Sequence, residues 1–412
     1  FAATAGTGRS CYWWQDAWML GAGASFSSAA DGPGRSFHLA EAAARIGNAC
    51  VSGGDSGNSP ALPVVLLQLA FEQRTPGPGH WGDGLPGARL VLPRRAWWQR
   101  RSGQGYIIDT IAVSADDTLA DLAERMLDEP VAQRPTTPAH PWPALCTTAY
   151  EQLVEEAVAL IEHGAMRKVV LARACDHHLQ RAPDIASVLA ALHSTADAWT
   201  YSYAIDLDDD ACFIGATPEL LFHLDGASCH TVALAGSRPR GHDADHDEAL
   251  AAELLASTKE RKEHQLVVEH LVHQLRVRSS KLSVPQSPSL RRLARLQHLE
   301  TQLSCRLRDP DPFDLMAALH PTPAVAGLPS EAAIDFIHRR EGLHRGLYTG
   351  TVGYATPTST RMVVPLRGGI VRGQEARLFA GAGIVDTSEP QAELAETELK
   401  LRPMQRALGL DG

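Results

Sequence analysis

The sequence predicts a mixed α+β protein whose strands pair antiparallel. Beyond about residue 140 clear strands alternate with amphipathic helices, and near the C-terminus apolar runs bounded by turn residues follow one another like hairpins. The alternation is too irregular for a doubly wound parallel sheet. No repeat of fixed period is evident.

The elements read in order as follows. Residues 1 to about 140 are rich in Gly, Ser, Pro and Trp with weak periodicity, and the Pro-rich stretch RPTTPAHPWP at 134–143 marks the boundary with the region 141–412. The segment TAYEQLVEEAVALIEHG predicts a helix with Leu153, Ala157, Leu160 and Ile161 on one face, ending at Gly164. A strand, KVVLARA, comes directly after it. The apolar stretches ACFIGATPELLFHL and HTVALAGSRPR follow, then one long helix from about Asp243 to Arg278, with Val267, Leu271 and Leu275 at four-residue spacing. LYTGTVGYAT, RMVVPLRGGIVRG and ARLFAGAGIV each read as a strand, and a helix around AELAETELKLRPMQRAL closes the chain.

Bulk properties narrow the function. A chain of 412 residues, 44% hydrophobic, buries a large core in one big domain or two to three ordinary ones. A formal charge of -10 repels phosphates, so neither nucleic acid nor an anionic membrane is the expected partner, and a small polar molecule is. Seven cysteines without a C-x-x-C pair do not read as a disulfide framework and point to a reducing cytoplasm. The start lacks a secretory pattern, and the longest apolar run, ALPVVLLQLAF, is too short to span a bilayer.

Two pairs of glutamates at i, i+3, Glu260/Glu263 and Glu393/Glu396, each place both carboxylates on one helical face. Such a face either holds a hard cation or is merely solvated, and spacing alone does not decide. Lys168 starts a strand that looks buried, so it reads either as a base in a dry setting or as a lysine reaching outward from a strand end. Glu219, beside a Pro turn and two leucines, is either a raised-pKa acid or a turn residue.

Other signals read as decoys. Cys175, Asp176, His177 and His178 lie too close together along a strand to converge on zinc, and GHDADHDE at 241–248 reads as a solvated loop. Arg94, Arg95, Trp97, Trp98, Arg100 and Arg101 mimic a nucleic-acid patch but read as surface and core interleaved. GAGAS and GAGIV lack the third glycine of a dinucleotide fingerprint.

The order KVVLAR, GATPELL, LAGSRPRG, ASTKERKEH, LHPTPAVAG, LYTGTVGY, LFAGAGIV and AELAETELK resembles the chorismate-utilising enzymes, and within them the isochorismate synthases. The resemblance covers about residues 145–408; residues 1–140 match only loosely, and in relatives this part packs into the same fold. It implies two stacked antiparallel sheets flanked by helices, with chorismate in a cleft between them. The implied activity is that of an isomerase: Mg2+-dependent water addition at C2 of chorismate with loss of the C4 hydroxyl.

Carried over by resemblance, Lys168 is the general base that activates water and Glu219 the acid that protonates the departing hydroxyl. Glu263 and Glu396 match the magnesium ligands, with Glu260 and Glu393 reaching the ion through water or supporting it. Arg367 resembles the arginine that grips the enolpyruvyl carboxylate, joined there by Tyr348 and by backbone N–H groups of Gly381 and Gly383. Gly236 and Ser237 are implied at the ring carboxylate, and His298 and Lys400 line the pocket. Relatives that use ammonia replace the lysine base by Gln, and those with a nucleophilic lysine carry it where this chain has Ala235. Salicylate synthases, which go on to eliminate pyruvate, are the second choice, matching less well at KERKEHQLVVEHL and HPTPAVAG. The expectation is a monomer feeding siderophore, menaquinone or salicylate synthesis.

Overall fold

The computed structural model describes residues 10–14, 17–22, 24, 26–49, 64–71, 87–100, 105–110, 150–195, 200–207 and 211–410. The Pro-rich stretch at 134–143, Arg101, Cys50 and Cys146 lie outside the described residues. Two ten-stranded sheets organise the rest. The first runs through Gly327–Leu328, Lys168–His178, Glu375–Ile384, Gly368–Arg372, Ala211–Thr217, Tyr201–Asp206, Ser10–Trp14, Ala17–Ala22, Arg95–Arg100 and Gly105–Asp109. The second runs through Ser279–Ser283, Leu296–Leu307, Ser228–Pro239, Leu220–Asp225, Ser359–Val363, Thr351–Ala355, Val65–Leu69, Ala88–Leu92 and Phe26–Ala30, with Ser289–Arg292 paired to Leu296–Leu307.

Every ladder is antiparallel, as the hairpin-like sequence pattern predicts. Strands from the first 110 residues enter both sheets. Ser10–Trp14 pairs with Tyr201–Asp206, and Val65–Leu69 pairs with Thr351–Ala355.

One core fills the space between the sheets, where Tyr203, Phe213 and Phe379 from the first meet Leu66, Val352 and Tyr354 from the second. Each such side chain contributes ~2 kcal/mol by leaving water. Helices cover the outer faces: Ile185–Ser194 and Pro390–Ala407 on the first sheet, Arg35–Ala49, Thr258–Arg278 and Pro312–Leu319 on the second. The described part of the Arg/Trp cluster, Arg94 to Trp98, is interleaved as expected. Trp98 points into the inter-sheet core, 5.2 Å edge-to-face from Tyr354, while Trp97 packs on the opposite face.

Three expectations need correction. The helix Tyr150–Glu162 buries Leu153, Val154, Ala157 and Ile161, whereas Leu160 is 39% exposed: Val154, not Leu160, completes the inward face. The long helix from Asp243 is two helices, Ala244–Ala256 and Thr258–Arg278, broken at Ser257. Ser257 is extended, and its hydroxyl accepts from the Glu260 N–H at 3.3 Å, so it caps the second helix. RMVVPLRGGIVRG is not one strand: Ser359–Val363 belongs to the second sheet and Gly368–Arg372 to the first. ACFIGATPELLFHL divides likewise, with Ala211–Thr217 in the first sheet and Leu220–Asp225 in the second. Each apolar run is a crossing between layers. Among the described residues no helix is long and apolar enough to cross a membrane.

Candidate active site

Both crossings carry a residue singled out from the sequence. Glu219 lies where the chain leaves the first sheet for the second, and Arg367 where it returns. The Glu219 crossing is pinned by its own N–H donating to Thr217 Oγ1 at 3.2 Å and by Val364 N–H donating to the Glu219 carbonyl at 3.0 Å. Arg367 has φ 49°, a left-handed conformation uncommon for a side-chain-bearing residue, and Tyr203 Oη donates to the carbonyl of Leu366 beside it at 2.9 Å.

A cleft of about 660 Å³, its open mouth included, lies at these crossings. It opens where the Glu375–Ile384 strand outruns its neighbour: pairing with Gly368–Arg372 stops at Leu378, while pairing with Lys168–His178 continues to Ile384. Glu219, Gly236, Ser237, Glu263, His298, Tyr348, Arg367, Gly381, Gly383, Glu396 and Lys400 all line it, as does Ala235. Eleven of the fourteen residues expected at the site thus face one space. Lys168, Glu260 and Glu393 stand just behind the wall.

Lys168 is fully buried, with Nζ 2.9 Å from Glu263 Oε1 but without hydrogen-bond alignment. Gly383 explains how they meet. A Cβ there would stand 2.2 Å from Glu263 Oε1 and 3.0 Å from Lys168 Cε, so a larger residue would push the Glu263 carboxylate from this position. Glu219 is buried, and burial pushes its carboxyl up to about 7 against the opposing pull of Lys168, Lys400 and Arg367.

On the opposite wall, Gly236 adopts φ 77° at the bulge in the Ser228–Pro239 strand, where the register against Leu296–Leu307 slips between Ala235 and Ser237. The bulge turns the Ser237 N–H toward Glu260 Oε2 at 3.0 Å. Ser237 Oγ lies 2.9 Å from His298 Nδ1, and Arg367 Nη2 lies 3.3 Å from His298 Nε2. A guanidinium only donates, so Nε2 must accept and the ring proton sits on Nδ1, facing Ser237. Burial, with Arg367 and Lys400 nearby, holds His298 well below its ordinary pKa and therefore neutral. Tyr348 stacks on Phe379 with ring centroids 5.2 Å apart. Burial raises its phenol, keeping it a hydrogen-bond donor.

The acidic pairs project from two helices, Thr258–Arg278 and Pro390–Ala407. Burial and then the neighbouring Glu263 push Glu260 up to about 7, and burial with Glu396 raises Glu393. Crowded negative charge is offset by cations: Arg238 to Glu260 at 3.2 Å, Lys259 to Glu393 at 2.6 Å and Lys400 to Glu396 at 2.6 Å. Glu396 is consequently held below its ordinary range despite burial. Among the described residues no three His, Cys, Asp or Glu side chains form a ready-made metal cage. Glu263 and Glu396, the two of the four that line the cleft, nevertheless fit a hard cation that takes one or two carboxylates and completes its shell with water and substrate.

Against proteins already characterised, residues 1–409 match the family model for chorismate binding enzymes. The chain belongs to that family. The salicylate biosynthesis isochorismate synthase of Pseudomonas aeruginosa is 35% identical over 366 residues, 86% of this chain and 76% of that protein. The isochorismate synthase EntC of Escherichia coli K12 is 38% identical over 265 residues, 64% of this chain and 68% of that one. Among solved structures, MenF, the menaquinone-specific isochorismate synthase of Escherichia coli, superposes with TM-score 0.76 at 26% identity, covering 97% of this chain and 88% of that one. A putative 2,3-dihydroxybenzoate-specific isochorismate synthase, DhbC of Bacillus anthracis, gives 0.75 at 27%, covering 98% and 96%.

Of the cations that balance the carboxylates, Lys400 was expected at the site, whereas Arg238 and Lys259 were not singled out from the sequence. Arg238 and Lys259 lie inside the motifs LAGSRPRG and ASTKERKEH, yet only the folded register brings Arg238 to Glu260 and Lys259 to Glu393. The buried pair Glu341/Arg345 was also passed over. Its i, i+4 spacing was the one available signal.

Proposed function

We propose that this chain is a magnesium-dependent isochorismate synthase. The observation that carries the reading is Glu219: a buried carboxyl held near pKa 7, bordering a cleft whose charged neighbours are Lys168, Lys400 and Arg367. Such a group is about half protonated at neutral pH, against almost none for an ordinary carboxyl, and sits close to cations suited to a dianionic substrate.

Chorismate enters with its enolpyruvyl carboxylate on the Arg367 guanidinium and the Tyr348 hydroxyl, and its ring carboxylate toward Gly236 and Ser237. The backbone of Gly381 and Gly383 lies against the enolpyruvyl group. Lys168 accepts a proton from water as the oxygen bonds to C2. The ring double bond shifts, the C4–O bond breaks, and Glu219 delivers its proton to the leaving hydroxide, so one water enters and one leaves. Ala235 leaves room for the attacking water and offers no amine to compete with it. Glu263 and Glu396, backed by Glu260 and Glu393, would hold the magnesium ion, which supplies neutralisation of the ring carboxylate and a fixed orientation of the ring.

Incubating the purified protein with chorismate and magnesium and identifying the products tests the reading. Isochorismate is expected. Salicylate with pyruvate would make the chain a salicylate synthase, and no turnover would leave only a binding role.

A further inference from the structure

Behind the cleft lies a network that the chemistry above does not use. Arg345 and Glu341 are fully buried side chains, joined by Nε to Oε1 at 2.7 Å and Nη2 to Oε2 at 2.5 Å. Glu341 ends a π-helical turn, Ile337–Glu341, an irregularity that turns its carboxylate inward. The guanidinium reaches three further places: Nη2 donates to the Val170 carbonyl at 2.7 Å, and Nη1 to the Val325 carbonyl at 2.8 Å and to Thr349 Oγ1 at 3.4 Å. Glu341 Oε2 accepts from the Ala172 N–H at 2.8 Å. Phe71 lies flat beneath the guanidinium, 4.5 Å from it.

The partners share one property. Val170, Val325 and Thr349 line the cleft, whereas Arg345 and Glu341 do not. Val170 stands two residues beyond Lys168 on the same strand, and Thr349 follows Tyr348. Thr349 is a β-branched residue at φ 60°, a conformation that surrounding structure must impose. Its carbonyl lies 2.9 Å from His320 Nε2, and its N–H donates to the Pro365 carbonyl at 3.1 Å. A buried ion pair is an indifferent way to gain stability, because well-packed apolar residues do as well; what it supplies is fixed geometry among groups that must stay in register.

We infer that Arg345, oriented by Glu341, is a positioning residue that locks the Lys168 strand, the Val325 segment and the Tyr348–Thr349 turn into one arrangement. The role given to Lys168 and Tyr348 rests on the function proposed above. The network acts on the reacting geometry from behind the wall, without touching substrate.

Two variants test this. Arg345→Lys keeps the charge but cannot fork to three partners, and the pair Glu341→Gln with Arg345→Met removes both charges so that neither is stranded. Both are expected to fold, by circular dichroism, and to lose roughly 100-fold in kcat while KM moves less than about threefold, the pattern of misplaced reacting groups. A folded variant of either kind with the parent's kcat overturns the inference. If neither folds, amide exchange in the parent decides. The N–H groups of Val170, Ala172 and Thr349 should open together, and independent opening overturns the inference. A parent inactive on chorismate defeats the proposed function instead, and the exchange result still judges the network.

Discussion

Replacing Glu219 by Gln separates the chemistry of that carboxyl from its cost to the fold. Its folded-state value of about 7 lies above the ordinary 4.5, so the native state holds a proton that the unfolded chain releases. Stability therefore falls as pH rises from about 4.5 through 7, and the full penalty persists above that. At ~1.4 kcal/mol per pH unit, the gap between those two values amounts to ~3 kcal/mol. Glutamine keeps the shape and drops the charge. At pH 8 Glu219→Gln should resist urea better than the parent by up to ~3 kcal/mol, and the advantage should shrink steadily toward about pH 4.5. The same variant should lose roughly 100-fold or more in turnover, because an amide cannot hand a proton to the leaving hydroxide. In the parent, kcat should fall as pH rises through about 7, following loss of the acid's proton. A variant less stable than the parent at pH 8, or a stability gap independent of pH, would refute the reasoning.

Lys168→Ala should cut turnover by roughly 100-fold or more with substrate binding largely kept, and a change confined to KM would make it a binding residue. Arg367→Lys should weaken chorismate binding although the charge remains, since an ammonium cannot form two parallel bonds to a carboxylate; equal KM for the two side chains would remove Arg367 from the site. Excess EDTA should abolish turnover, and Glu263→Gln or Glu396→Gln should do nearly the same, with full activity under chelation excluding the metal. Ala235→Lys should fill the space for water and slow isomerisation, and an unchanged rate would show that residue 235 does not face the ring.

Local pattern made some of this architecture legible and hid the rest for definite reasons. The helix Tyr150–Glu162 was legible from its apolar spacing, although Val154 takes the inward place given to Leu160, and the strand Lys168–His178 from the continuous apolar run that starts it. The break at Ser257 was signalled by Ser-x-x-Glu, a helix-starting pattern embedded in an otherwise continuous helical run. The layer crossings at Glu219 and Arg367 are marked only by Pro218 and Pro365, which signal a break but not a change of sheet. An apolar run reads the same whether its strands join one sheet or two, and membership is decided by partners such as Gly368 for Gly215 and Val363 for Leu220. Site residues were reachable because the motifs that carry them recur in a known order. Their electrostatic partners were not, since Lys259 meets Glu393 across 134 positions of chain.

The most direct measurement of the central claim is conversion of chorismate in ¹⁸O-water, with the product analysed by mass. Water activated by Lys168 and a hydroxyl expelled with the help of Glu219 require the new hydroxyl of isochorismate to carry the label. Unlabelled isochorismate would mean that the hydroxyl migrates without exchange, and would contradict the account.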